Sequence, residues 1–201
     1  MESIKGRGTI DEKILGESLR IGIVRTRWNT KVIDALIEGC LKRLGEFGVL
    51  EENIVLQTVP GSYELPFAVS RMYAASKIQA SSAGAGSNVI DLLSAEPGDN
   101  AAAEPAATTQ KAFDAIIAIG CLIKGETMHF EYICDATSTA LMNLQFSLGI
   151  PVIFGVLACL SDEQALARAG LTANGHNHGI DWAEAAVEMG IRNKAWNNGT
   201  F

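Results

Sequence analysis

An α/β fold on a four-stranded parallel sheet is what this 201-residue chain predicts, and three observations predict it. Four short apolar runs of strand character alternate with stretches whose apolar residues recur at helical spacing. The runs are almost continuously apolar, as strands covered on both faces are, rather than alternating as half-solvated strands do. A cluster of polar residues follows each of the first three runs. Right-handed crossovers bring the C-terminal ends of parallel strands to one edge, where open α/β sheets bind ligands.

In chain order, Leu19-Arg20-Ile21-Gly22-Ile23-Val24-Arg25 reads as the first strand. Ile33, Leu36, Ile37, Cys40, Leu41, Leu44 and Phe47 then fall at i, i+3, i+4 spacing, with Gly48 as the helix stop. Residues 53–59 form the second strand, closed by Pro60-Gly61. A helix opens around Glu64-Leu65-Pro66, where proline is tolerated because its missing N–H would have no partner.

From about residue 76 to residue 110 the apolar pattern gives way to Ala, Ser, Gly, Pro and Asn. Such a segment buries little surface against its ordering entropy, so an irregular, mobile insertion at about 76–110 is expected within a single domain over 1–201. Residues 113–123 make the third strand. Phe130, Ile133, Cys134, Thr137, Leu141, Leu144 and Leu148 mark a long helix ended by Gly149, and residues 151–157 make the fourth strand. A short helix over 162–169 and a last one over 181–191 are separated by the glycine- and histidine-containing stretch 170–179. Four strands make a narrow sheet, so partner subunits are expected.

Hydrophobic residues make up 48% of the chain and charged residues 19%, which suits a folded core. A net charge of −7 opposes non-specific nucleic-acid binding, although a local basic pocket remains compatible with a phosphate. Cys40, Cys121, Cys134 and Cys159 all lie in apolar runs without metal-like spacing, as buried thiols in a reducing compartment do. Residues 1–19 lack the apolar core of a signal peptide, and no run of about 20 apolar residues suits a membrane span. A cytoplasmic protein, with neither membrane nor nucleic acid as partner, is the expectation.

The run that ends Cys121-Leu122-Ile123 empties into Lys124-Gly125-Glu126-Thr127-Met128-His129, where a new helical pattern begins. A strand end feeding a helix start gathers unpaired backbone N–H groups and a titratable imidazole, which suits an anionic substrate undergoing proton transfers. His129 reads either as a helix-start packing residue or as an acid/base that gives and takes protons in successive steps. Trp28 is either an aromatic lid on the core or a flat face for a planar heterocycle. Glu64 offsets the dipole of its helix or accepts hydrogen bonds from a polyol. Arg168 is by default a solvated charge, with a functional role only if a neighbouring subunit presents a phosphate site to it. His176 and His178 suggest a metal pair, but no Cys or acid stands at ligand spacing beside them, and no metal is expected.

Arg27-Trp28-Asn29, Val59-Pro60-Gly61-Ser62-Tyr63-Glu64-Leu65-Pro66, the stretch from Gly120 to His129, Pro151-Val152-Ile153-Phe154-Gly155 and the stretch from Glu163 to Gly170 together resemble the 6,7-dimethyl-8-ribityllumazine synthase family. The likeness covers roughly residues 19–75 and 111–193, and the loop leading to Asp181-Trp182 resembles its fungal branch most. It implies a flavodoxin-like three-layer sandwich, a homo-oligomer built on pentamers, and active sites between adjacent subunits. It also implies the penultimate reaction of riboflavin biosynthesis, without a cofactor. In that reaction 5-amino-6-ribitylaminouracil and 3,4-dihydroxy-2-butanone 4-phosphate give 6,7-dimethyl-8-ribityllumazine, phosphate and water.

The same resemblance implies the site. Trp28 would stack on the pyrimidine. Ser62, Tyr63 and Glu64 would hold the pyrimidine and the ribityl chain, and Cys121, Leu122 and Ile123 would meet the heterocycle through backbone groups. Glu126 and Thr127 would receive the phosphate, and His129 would be the acid/base. Phe154 and Arg168 would come from the adjoining subunit, covering the ring and gripping the phosphate. The chain departs from the pattern in its 76–110 insertion and in a longer 171–178 loop, where His178 stands in place of a usual lysine. The longer loop favours a free pentamer over a sixty-subunit shell. A silent relative that keeps a flavin-like ligand, or a scaffold that only assembles, are the alternatives. Retention of His129 beside Gly125-Glu126-Thr127 favours the enzyme.

Overall fold

The computed structural model describes residues 15–90 and 111–201. Its sheet consists of β1 (Ile21–Thr26), β2 (Ile54–Val59), β3 (Ala115–Ile123) and β4 (Val152–Cys159), all parallel, in the order β2-β1-β3-β4. The helices are α1 (Thr30–Glu46), α2 (Leu65–Ile90), α3 (His129–Leu148), α4 (Asp162–Arg168) and α5 (His178–Asn197).

Period-2 alternation along β3 explains the layering. Ala115, Ile117, Ile119 and Cys121 point to one face, where they pack with Ile33, Leu36 and Leu44 of α1 and Ala183, Ala186 and Val187 of α5. Ile116 and Ala118 point to the other face and meet Leu65 and Val69 of α2 and Leu141 of α3. Every β3 residue from Ala115 to Cys121 is buried, which is why the run carries no polar alternation. The result is three layers, helices on both faces of an α/β sheet, as expected.

Several boundaries follow from local chemistry. Gly149 takes φ 67° past the end of α3, and its N–H bonds to the carbonyl of Gln145. Ser161 caps α4 by accepting from the N–H of Gln164. Helix α5 starts at His178, not at residue 181, because Asn177 caps it: its side-chain oxygen accepts from the N–H of Gly179. The same side chain donates to the carbonyl of Ala35 on α1 at 2.7 Å, which ties the start of α5 to α1. Further along, Arg43 of α1 pairs with Glu184 of α5 at 2.6 Å, and Glu184 is only 7% exposed.

The expectation of an irregular segment from residue 76 is corrected by the structure as far as residue 90. Helix α2 runs on to Ile90 through Ala- and Ser-rich sequence, since alanine is the best helix former even where it offers little to a core. Ser76 is 1% exposed, donates to the carbonyl of Tyr73 and accepts from the N–H of Phe113 at 3.2 Å. One turn on, Gln79 accepts from the Arg20 guanidinium at 2.9 Å. These contacts fasten the middle of α2 to the beginnings of β1 and β3. Residues 91–110, the rest of that expectation, lie outside the described residues.

Candidate active site

The loops after β1, β2 and β3 meet at one edge of the sheet and enclose a cavity of about 610 Å³. After β1 the chain turns through Asn29, whose left-handed backbone (φ 58°, ψ 45°) asparagine tolerates better than most residues. Its backbone carbonyl accepts from Val32 and Ile33 at the start of α1, and its side-chain amide donates to the carbonyl of Cys121 at 2.9 Å. That bond staples the β1 loop to the end of β3. Trp28, one residue earlier, is turned outward and 71% exposed.

After β2, Arg27 donates its backbone N–H to the carbonyl of Val59, and a 3-10 turn over Ser62–Glu64 leads into α2. The Glu64 carboxylate accepts from the N–H of Gly61 at 2.8 Å, which fixes it at the mouth of the cavity. A carbon added at Gly61 would lie 3.3 Å from both the Trp28 ring and that carboxylate. The indole and the carboxylate therefore flank one glycine, an aromatic surface beside an acceptor. Ser62 tucks under β3: a side chain at Gly120 would come within 2.6 Å of its hydroxyl, so only glycine lets the turn approach so closely. Thr137 of α3 donates to the Ser62 carbonyl at 3.2 Å.

After β3, the turn Lys124-Gly125-Glu126-Thr127-Met128 is bridged by an ion pair between Lys124 and Glu131 of α3. The Lys124 ammonium hydrogen bond holds the Glu131 carboxyl below its ordinary value. Thr127 accepts the His129 N–H at 3.4 Å, and the first-turn N–H groups of α3 open toward this turn. The Cys121 thiol is pushed up to about 12, chiefly by burial, so it stays protonated and unreactive at neutral pH. What the β3 end offers the cavity is backbone and apolar surface.

Of the predicted residues, Trp28, Ser62, Tyr63, Glu64, Cys121, Leu122, Ile123 and His129 all line this cavity. Glu126 and Thr127 are exposed on the turn just outside it. Phe154 on β4 and Arg168 at the end of α4 are exposed and do not line it. Asn29, Tyr132 and Ile133 do line it but were not among the predicted site residues. Tyr132 stands three residues after His129, on the same helix face, so its place could have been inferred once α3 was assigned.

A sequence profile described as 6,7-dimethyl-8-ribityllumazine synthase matches residues 18–86 and 100–194. That span takes in every loop just described. The chain belongs to the 6,7-dimethyl-8-ribityllumazine synthase family. Relatives of that name include one from Pyricularia oryzae, 51% identical over 191 residues, which cover 94% of this chain and 96% of the relative. The Schizosaccharomyces pombe relative is 40% identical over 190 residues, again 94% and 96% of the two chains. A bacterial relative from Streptomyces coelicolor is 32% identical over 183 residues, 91% of this chain and 89% of the relative. The protein is therefore an enzyme, a transferase of riboflavin biosynthesis that forms 6,7-dimethyl-8-ribityllumazine. The family also implies small-molecule substrates and an oligomeric assembly.

Proposed function

We propose that the cavity at the ends of β1, β2 and β3 is where 5-amino-6-ribitylaminouracil condenses with 3,4-dihydroxy-2-butanone 4-phosphate. The observation that carries this reading is the meeting of the Trp28 face, the Glu64 carboxylate and His129 around one 610 Å³ space. Trp28 stacks on the pyrimidine, and Tyr63 and Ser62 bound it from the α2 side. Glu64 accepts from ribityl hydroxyls with the oxygen that Gly61 leaves open. Cys121, Leu122 and Ile123 offer backbone groups to the ring. The phosphate settles on the N–H groups of Glu126 and Thr127, where a helix start favours an anion.

In this reading the 5-amino group attacks the ketone and water leaves to give an imine. Phosphate is eliminated, the enol tautomerises, and the ribityl-bearing nitrogen closes the ring with loss of water. Each step moves a proton, and the His129 imidazole, which can both give and take one, serves them in turn. Holding two reactants aligned removes several kcal/mol of entropic barrier, a large share of the acceleration.

Phe154 and Arg168 complete the site from the adjoining subunit, Phe154 over the ring and Arg168 on the phosphate. Support comes from their exposure on β4 and α4, outside the protomer's own cavity, and from an apolar surface that asks to be covered. Tyr132, Met142 and Phe146 are exposed along α3, and Phe67 on α2. The assembly is a pentamer, and the extended 171–178 loop opposes growth into a shell; a megadalton particle in light scattering would contradict this. The enzyme works in the cytoplasm, consistent with four free cysteines and with the absence, among the described residues, of any helix long and apolar enough to cross a membrane. Mixing the protein with both substrates tests the reading: lumazine absorbance grows, and its absence would overturn it.

A further inference from the structure

Beside the candidate phosphate anchor stands a group of side chains with no task in the reading above. Asp181, in the first turn of α5, accepts from His176 Nε2 at 2.7 Å, and the same carboxylate oxygen lies 3.4 Å from His178 Nδ1, within ion-pair range. The other nitrogen of His178, Nε2, faces Nη1 of Arg168 at 3.4 Å. The two imidazoles meet edge to face, and Trp182 packs against His178 from the next position on α5. Asn177 locks the backbone of this corner by capping α5 and bonding α1, so the ring of His178 is set on a fixed support.

One assignment of donors and acceptors suits this arrangement. A guanidinium has only N–H groups to offer, so the nitrogen of His178 that meets Arg168 must present its lone pair. The Asp181 carboxylate is an anion beside Nδ1, which favours the proton on that nitrogen. Both demands are met by a single uncharged tautomer of His178. We propose that Asp181 and His178 act as positioning residues for Arg168, with the neutral imidazole accepting from the guanidinium and aiming it at the phosphate of the ketone substrate. The proposal rests on the reading of Arg168 as the phosphate-binding residue. It also assigns His178 a role opposite to that of a lysine at this place, an acceptor rather than a second cation.

The surroundings keep His178 uncharged. Burial, the Arg168 charge and His176 each lower its pKa, and Asp181 raises it; the net direction is below the ordinary imidazole value. These are the charged and titratable groups that face it, Arg168 from α4, His176 from the preceding loop and Asp181 from its own helix. The N-terminal position on α5 acts in the same sense, because a helix start disfavours a cation. The sign follows. At neutral pH the lone pair is available; as the pH falls through the lowered pKa, Nε2 gains a proton and can no longer accept from Arg168.

Steady-state kinetics on three variants, with KM measured separately for the two substrates, tests this. His178→Phe removes the acceptor and should raise KM for the phosphorylated ketone about tenfold, while kcat and the KM for the pyrimidine stay within about twofold. His178→Gln returns an uncharged acceptor and should bring that KM back to within about threefold of the parent. In the parent, KM for the ketone should rise more steeply on the acid side of the ordinary imidazole range than in His178→Gln, since ionisation of the substrate phosphate is common to both. Equal impairment of the Phe and Gln variants would overturn the proposal. So would a parent that binds the ketone more tightly than His178→Gln as the pH falls, because that is the behaviour of a cation on the phosphate. Arg168→Ala separates the two layers of the argument. If it leaves the ketone KM unchanged, the phosphate-anchor reading fails; if it raises that KM while His178→Phe does not, only the positioning role fails. Should His178→Phe lose its fold by circular dichroism, the pH comparison with His178→Gln decides alone.

Discussion

Two regions at the same edge of the sheet are built on different plans. The cradle formed by the loops after β1, β2 and β3 is internally tied, with Asn29 bonded to Cys121, Glu64 to Gly61 and Thr137 to Ser62. It surrounds a cavity within one protomer. The corner formed by α4 and the start of α5 is equally well tied, through Asn177, Asp181 and His178, yet its Arg168 does not line the cavity of the first three loops. A rigid support for an exposed cation that stands outside that cavity is the arrangement expected of a contribution made across a subunit boundary. The comparison teaches that completeness of a site and order of its parts are separate properties.

The largest effect should come from the cradle. His129→Ala is expected to lower kcat about 10²-fold or more, read in single-turnover formation of the lumazine. An unchanged rate would take the imidazole out of the mechanism. Next come two crossed effects on binding. Trp28→Ala should raise KM for the pyrimidine about tenfold with little change for the ketone, through lost stacking. Arg168→Ala should do the converse, about tenfold on the phosphorylated ketone alone, through a lost charge-assisted contact. Two variants that impair both substrates equally would erase the distinction between the two regions.

Smaller effects concern how each region is held. Glu184→Ala removes two charge-assisted hydrogen bonds that join α5 to Arg43, which keeps its pair with Glu46, and should cost about 2 kcal/mol in denaturant unfolding. The smallest is Ser76→Ala, which leaves the N–H of Phe113 without its acceptor and should cost about 1 kcal/mol, with kcat and both KM values unchanged. A loss below the error of the measurement would show that this part of α2 does not brace the sheet.

The strands β1 and β3 were legible because their burial is nearly complete, whereas β2 at the sheet edge is half-buried to exposed throughout and was marked by its apolar residues and the Pro60-Gly61 stop. A run such as that of β3, apolar at every position, has few alternatives when glycine or polar turns bound it. Trp28, Glu64 and His129 were legible because they stand just past strand ends, where topology alone brings them to one edge. Two elements were not. The far part of α2 holds residues such as Ala80 and Ser81 that satisfy helix propensity without marking an apolar face, so periodicity failed where the backbone did not. The start of α5 was misjudged because Asn177 lay inside a stretch of glycine and histidine that reads as loop, while its amide was in fact the cap. Asn29 was similarly hidden: its part in joining β1 to β3 depends on a bond to a residue 92 positions away, which no local pattern contains.

Mixing His129→Ala with Arg168→Ala subunits measures the central claim most directly. At low ketone concentration His129→Ala keeps about a hundredth and Arg168→Ala about a tenth of the parent activity, and the two are unfolded, refolded together in equal amounts and assayed. If each site takes His129 from one protomer and Arg168 from the next, about a quarter of the sites in the mixed assemblies are intact and activity returns to about that fraction of the parent. If both residues served the same protomer, every site would lack one of them, and mixing would give no more than the average of the two variants.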